Sequence, residues 1–174
     1  MAEPRMVTGL FPDRESAERA YGSITRHSYE SKDVNLVMSD ATRKRYFAGD
    51  GLGAVTELGT KAAEGAGIGG AIGGTLGAIV AALAAVGTSI ALPGIGLVIA
   101  GPVAAALAGA GAGAATGGLV GALIGWGIPE ERIKEYETGI EEDGILMGVK
   151  PRSDDDATEF QDDWRKSRGE HVNY

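Results

Sequence analysis

The chain contains no cysteine. Disulfide staples, thiolate zinc sites, cysteine nucleophiles and lipid attachment through a thiol are therefore excluded. Histidine is almost as scarce: His27 and His171 are the only two, too few for a histidine-rich metal centre. Aromatic residues make up 6% of the chain, and basic residues are outnumbered, with 16 Lys and Arg against 24 Asp and Glu and a net charge of −8. A nucleic-acid binder needs a basic footprint that this balance does not supply. The N-terminal MAEPRMVTGLF lacks the basic flank and sustained apolar run of a secretory signal, so no such segment is expected there.

Charge is also missing locally. Nothing between Glu64 and Glu130 carries a charge, and 19 of the 29 glycines fall between Gly65 and Gly127. What fills this stretch is periodic. Gly65, Gly69, Gly73 and Gly77 lie four apart, as do Gly109, Gly113, Gly117, Gly121 and Gly125. On an α-helix such positions share one face, leaving a strip of small residues that lets another helix backbone come close. Ile68, Ile72, Leu76, Leu83, Leu107, Leu119, Val120, Leu123 and Ile124 occupy the other faces. Two helices are expected, over 62–86 and 102–126, with Pro102 suited to a first helical position. Each would be about 37 Å long, more than the roughly 30 Å hydrocarbon core of a bilayer. Pro93-Gly94 marks the turn between them, and Trp126 is placed as an interfacial anchor. Basic residues lie only on the flanks (Arg43, Lys44, Arg45 and Lys61 before, Arg132 and Lys134 after). That pattern puts both termini on the cytoplasmic side.

Around the tract the sequence alternates as a small α+β domain. Arg5–Phe11 reads as a strand, with Met6, Thr8 and Leu10 on one face. Asp13 is a helix N-cap, and Ala17, Tyr21 and Ile24 line the buried side of a helix over 14–27. Val34–Met38 is a second strand. Past the tract, Ile133, Tyr136 and Ile140 mark a helix over 130–142, and Ile145–Val149 is a strand. This order is compatible with a ferredoxin-like, split β-α-β sandwich interrupted by the hairpin. One strand is missing from it, with Tyr46–Phe47 or Ala54–Leu58 as candidates, unless the sheet has only three strands. The expected division is 1–60 and 128–150 for the domain, 61–127 for the hairpin and 151–174 for an acidic tail. The tail is read as solvated; Phe160 and Trp164, four apart, allow it a short amphipathic helix from near Asp154, and the alternative is a segment that docks on the sheet or on a neighbouring subunit.

The combination of VTGLFPDRESAERAYGSI, VNLVMSD, the two glycine rows around ALPGIG, and GWGIPEERIKEYETGIEEDGILMGV resembles a bacterial stress-associated family, described as general stress protein-like or low-temperature-induced protein-like. The resemblance covers nearly all of the chain except the tail. It implies an α/β domain carrying a membrane-type hairpin and induction under stress. It lends no active-site residues.

Chemistry finds little footing. His27 sits at a helix end, where the dipole favours a cation. GAGIGGAIGG and GAGAGAATGG match GxGxxG but lack a preceding strand. Asp154–Asp156 lack a calcium-loop pattern. No catalytic, cofactor or metal residues are expected, and neither nucleic acid nor a small-molecule substrate. The expected function is non-enzymatic: a hairpin inserted in the cytoplasmic membrane or oligomerising there. The alternatives are a soluble self-assembling ring or shell with the hairpins as its core, and a zipper-built pore. Membrane lipid and further copies of the chain are the expected partners.

Overall fold

The computed structural model describes residues 5–47, 89–92, 97–101, 120, 123–124 and 127–174. Strand β1 (Val7–Phe11) leads into helix α1 (Arg14–Arg26), followed by β2 (Val34–Ser39) and α2 (Asp40–Phe47). Then come β3 (Ser89–Leu92), β4 (Leu97–Ala100), α3 (Glu130–Glu141), β5 (Ile145–Val149), α4 (Asp154–Lys166) and β6 (Glu170–Asn173). The strands form one six-stranded antiparallel sheet in the order β3-β4-β2-β5-β1-β6. The class expected from the sequence, α+β, is the class observed.

Both faces of the sheet are covered, so every residue of β1 and β5 is buried. On one face Val7, Phe11, Val34, Leu36, Met38, Ile145, Met147 and Val149 meet Ala17, Ala20, Tyr21 and Ile24 of α1 and Ala157, Phe160 and Trp164 of α4. On the other, Leu10, Val37 and Leu146 meet Ile133, Tyr136 and Ile140 of α3, together with Ile99, Leu123 and Ile128. The alternation in β1 sorts Val7 and Phe11 to the first face and Leu10 to the second.

Two β-α-β units are interleaved. β5 lies between β1 and β2, and β1 lies between β5 and β6. Their helices are built alike. Asp13 caps α1 by accepting from the Ser16 N–H at 2.8 Å, and Ser153 caps α4 by accepting from the Asp156 N–H at 3.1 Å. Each helix closes on a residue at positive φ, Ser28 at 60° and Arg168 at 65°, and the next amide reaches back to Ile24 or Trp164.

Several expectations are corrected. The tail is not solvated: it is α4 and β6, and Trp164 is fully buried. The second β-α-β unit therefore runs through β5, α4 and β6 and does not use the 130–142 helix, which covers the opposite face. Tyr46–Phe47 is the end of α2 and supplies no strand. Ala54–Leu58 lies outside the described residues. The additional strands come from β6 and from β3 and β4, inside the connector that was assigned wholly to the hairpin.

Trp164 packs edge-on against Phe11 with ring centroids 5.6 Å apart, and its Nε1 has no hydrogen-bond partner among the described residues. Replacing Trp164 by Ala should cost about 3–5 kcal/mol in urea unfolding. Gly22→Ala on α1, where an added Cβ meets nothing closer than Arg26 Nη1 at 3.9 Å, should stabilise by about 0.5–1 kcal/mol in the same assay.

Candidate functional site

The nine glycines of the two rows (Gly65, Gly69, Gly73, Gly77, Gly109, Gly113, Gly117, Gly121 and Gly125), the turn residues Pro93 and Gly94, and Trp126 lie outside the described residues. What the structure describes is where the uncharged segments join the domain.

The first segment follows α2, which packs on β2 and β4, and it ends at β3, which pairs with β4. The second leaves β4 through Gly101. This residue sits at φ 113°, and an added Cβ would fall 2.5 Å from the Val34 carbonyl and 2.8 Å from Asn35 Oδ1. Only glycine fits a left-handed backbone pressed that closely to a buried strand. The segment returns as a helix that includes Val120, Leu123 and Ile124. Its end is a paired closure around Gly127 at φ 75°: the Gly127 N–H donates to the Ile124 carbonyl at 2.9 Å, and the Ile128 N–H donates to the Leu123 carbonyl at 3.1 Å. Leu123 and Ile128 belong to the same buried cluster, the apolar contact that accompanies this closure. The expected stop of this helix near 126 agrees with that closure.

The chain between α2 and β3, which holds the charged stretch 48–64 as well as the first glycine row, and the chain between β4 and Ile128 therefore each leave and rejoin the β2-β4-β3 side of one sheet. Residues 87–101 were expected to form the distal tip of a hairpin. Instead, Ser89–Leu92 pairs with Leu97–Ala100, which pairs with Leu36–Ser39. Pro93 and Gly94 fall between the two paired strands. A single crossing of a bilayer by 102–126 would leave Gly101 and Leu123 on opposite sides, whereas Gly101 lies against β2 and Leu123 is buried in the domain core. Among the described residues no helix is long and apolar enough to cross a membrane.

At this junction Leu123 is fully buried, while Val120 and Ile124 are 40% and 49% exposed. Leu123 thus turns inward while Val120 and Ile124 turn outward. The basic flank is on α2: Arg43 and Lys44 pair with Asp40 at 2.8 and 2.7 Å, and Arg45 pairs with Asp143 at 2.5 Å. Hydrogen bonds from Lys44 and Arg43 hold the Asp40 carboxyl below its ordinary range.

The groups that could carry chemistry are committed to structure. His27 joins α1 to α4 through Ser23 and Glu159, and His171 Nδ1 lies 3.1 Å from Glu135. The Tyr136 hydroxyl donates to the His171 carbonyl at 2.8 Å and meets the Thr8 hydroxyl at 3.0 Å. Asp154–Asp156 form the first turn of α4, where the helix dipole favours acids. Asp156 accepts from Tyr29, and Asp154 accepts from Tyr174 at 3.1 Å. Burial, then the hydrogen bond to Asp156, raises the Tyr29 phenol above its ordinary value. No group of three or more His, Cys, Asp or Glu placed to hold a metal occurs among the described residues.

No protein-family model, curated protein or solved structure matches the chain.

Sequence reasoning missed β3, β4 and the burial of Leu123. Pairs such as Leu36↔Ala100 had no separate signal inside an uncharged, largely apolar run. If Leu123 is part of the core, Leu123→Ala should destabilise the whole domain by about 2–5 kcal/mol, read as a shift in the denaturation midpoint of the full chain.

Proposed function

We propose that the chain is a non-enzymatic structural protein of the cytoplasmic membrane, assembling through its two glycine rows, with its α+β domain and both termini on the cytoplasmic side. The observation that carries this reading is the run from Gly65 to Pro129 without a single charge, joined at both ends to a charged, folded domain. A water-facing surface of that length would ordinarily be interspersed with charge. Gly-rich helices are unfavourable in water and favourable where dry backbones pack closely.

The junctions refine the mode of insertion. Because the segments leave and return on one side of the sheet, they enter the bilayer from one side and exit by the same side. Out and back, 102–122 reaches about 15 Å, roughly half of the hydrocarbon core. Segment 102–122 would then occupy one leaflet, with the outward face at Val120 and Ile124 toward lipid or a second copy, while the 41 residues 48–88 are long enough to reach about 30 Å out and back. The domain itself reads as a ferredoxin-like sandwich made by β1-α1-β2 and β5-α4-β6. In this reading α2, the β3–β4 hairpin, the glycine rows and α3 are one insertion between β2 and β5. The resemblance to stress-associated bacterial proteins supplies the setting, accumulation under stress and reinforcement of the membrane.

A second reading is a soluble assembly whose glycine-rich segments form a protein-only core. It is favoured by the return of both segments to the sheet that they leave. The two separate in one fractionation: lysis without detergent, vesicle flotation, then carbonate extraction of the pellet. Carbonate-resistant flotation is the expected result. A soluble, discrete large particle would replace the membrane reading with the soluble one. In either, Gly73→Leu and Gly117→Leu should lower the assembled fraction about tenfold or more on a sizing column, because each puts a large side chain where a backbone must approach. Unchanged assembly in both variants would overturn the role of the rows.

A further inference from the structure

Three contacts join the end of α1 to one face of α4. Arg26 Nη2 donates to Asp163 Oδ2 at 2.8 Å, His27 Nε2 meets Glu159 Oε2, and the Tyr29 hydroxyl donates to Asp156 Oδ2 at 2.5 Å. Asp156, Glu159 and Asp163 are three and four residues apart, so one helix face holds all three acceptors. The middle contact has a protonation requirement. His27 Nδ1 lies 2.8 Å from the Ser23 carbonyl oxygen while Nε2 faces the Glu159 carboxylate. A carbonyl and a carboxylate only accept, so both ring nitrogens must donate, and only the imidazolium has two N–H groups.

We propose that His27 is a proton-operated clasp between α1 and α4, closed when the imidazole carries both protons and loosened when it loses one as pH rises. The inference is independent of the membrane reading.

The surroundings support the charged form. On α1 the ring sits at the helix C-cap, where the dipole favours a cation, with Arg26 beside it drawn off to Asp163. On α4 it faces Glu159 and Asp156, with the Phe160 ring edge-on at 5.1 Å between centroids, while Asp163 is taken by Arg26. On the connecting segments lie Tyr29, Asp33 and Arg152. The Arg152 guanidinium stacks over the Tyr29 ring at 3.9 Å and reaches toward Asp33 at 3.8 Å. Each guanidinium in the neighbourhood is thus paired with an acid of its own, Arg26 with Asp163 and Arg152 with Asp33, and Glu159 and Asp156 are left to the ring. The Ser23 carbonyl first, then Glu159, raises the His27 pKa above its ordinary value, against a smaller desolvation effect.

The sign of the linkage follows. A group whose pKa is higher in the folded chain than in the unfolded one stabilises the fold fully below the unfolded value, and that contribution fades as pH rises through the folded value. The element so fastened is not peripheral. α4 brings Phe160 and Trp164 to the core, and β6, which follows it, covers the edge of β1. Local opening of α4–β6 would bare that edge for pairing with another strand. With Glu159 62% exposed, the effect is modest.

Hydrogen exchange of the full chain at about pH 5.5 and about pH 8, corrected for intrinsic rates, tests the clasp. Amides of α4 and β6 should open roughly two- to fivefold more at the higher pH, with β2 and β5 unchanged. His27→Gln should abolish the difference and His171→Asn should retain it. Equal protection at both pH values, or a difference that survives His27→Gln, would overturn the proposal. Should the variant fail to fold, proton NMR of the wild-type imidazoles decides: a His27 midpoint at or below that of a free histidine is the contrary result.

Discussion

The sheet must be buried on both faces, and almost everything else in the structure answers to that constraint. β1, β2 and β5 are buried at nearly every position, and each face carries a row of apolar side chains that water would penalise. One face is closed by α1 and α4, from the two ends of the chain. The other is closed by α3 together with Ile99 and Leu123, which belong to the stretch that looks least like a domain. The glycine-rich region is therefore fastened to the fold by its own core residues.

How much of this was legible depended on whether a segment's periodicity had contrast. β1, α1, β2, α3 and β5 have apolar residues at the right spacing against polar neighbours, and their boundaries were readable within a residue or two. α4 carried its signals openly in the Ser153 cap and in Phe160 and Trp164 four apart, but six acids disguised a core helix as a tail. β6, Glu170–Asn173, buries only Val172 among its residues and has no pattern to read. β3 and β4 had the opposite trouble. In an uncharged, largely apolar run neither helix nor strand stands out, and only the pairing of β4 with β2 and of β3 with β4 settles them. The glycine rows, the features read with most ease, lie outside the described residues, and the attachment of their segments to the sheet was not legible.

Helix closure shows a similar economy. Four helix ends reach back through a residue in the left-handed region, yet only Gly127 is glycine; Ser28, Asp143 and Arg168 do the same at φ 60°, 67° and 65°. Each non-glycine case costs about 1 kcal/mol of backbone strain, held by surrounding contacts. Asp143 is tied to Arg45, and Arg168 to Asp13 at 3.0 Å. A sequence reader looking for glycine at a helix stop finds one stop of the four by that rule alone.

The insertion also shapes the order in which the molecule can form. Val7 pairs with Val149 and Val34 with the same residue, so the centre of the sheet waits for β5. Closing a loop some ten times longer than a simple β-turn-β connection costs only about 2 kcal/mol, which the final fold tolerates. The kinetic consequence is larger, because non-local pairing is slow. During synthesis both uncharged segments precede β5, α4 and β6, the elements that complete the domain. Until β5 is made, the cluster that takes up Leu123 and Ile99 lacks Leu146, and α3, which adds Ile133, Tyr136 and Ile140 to it, is made only just before that strand.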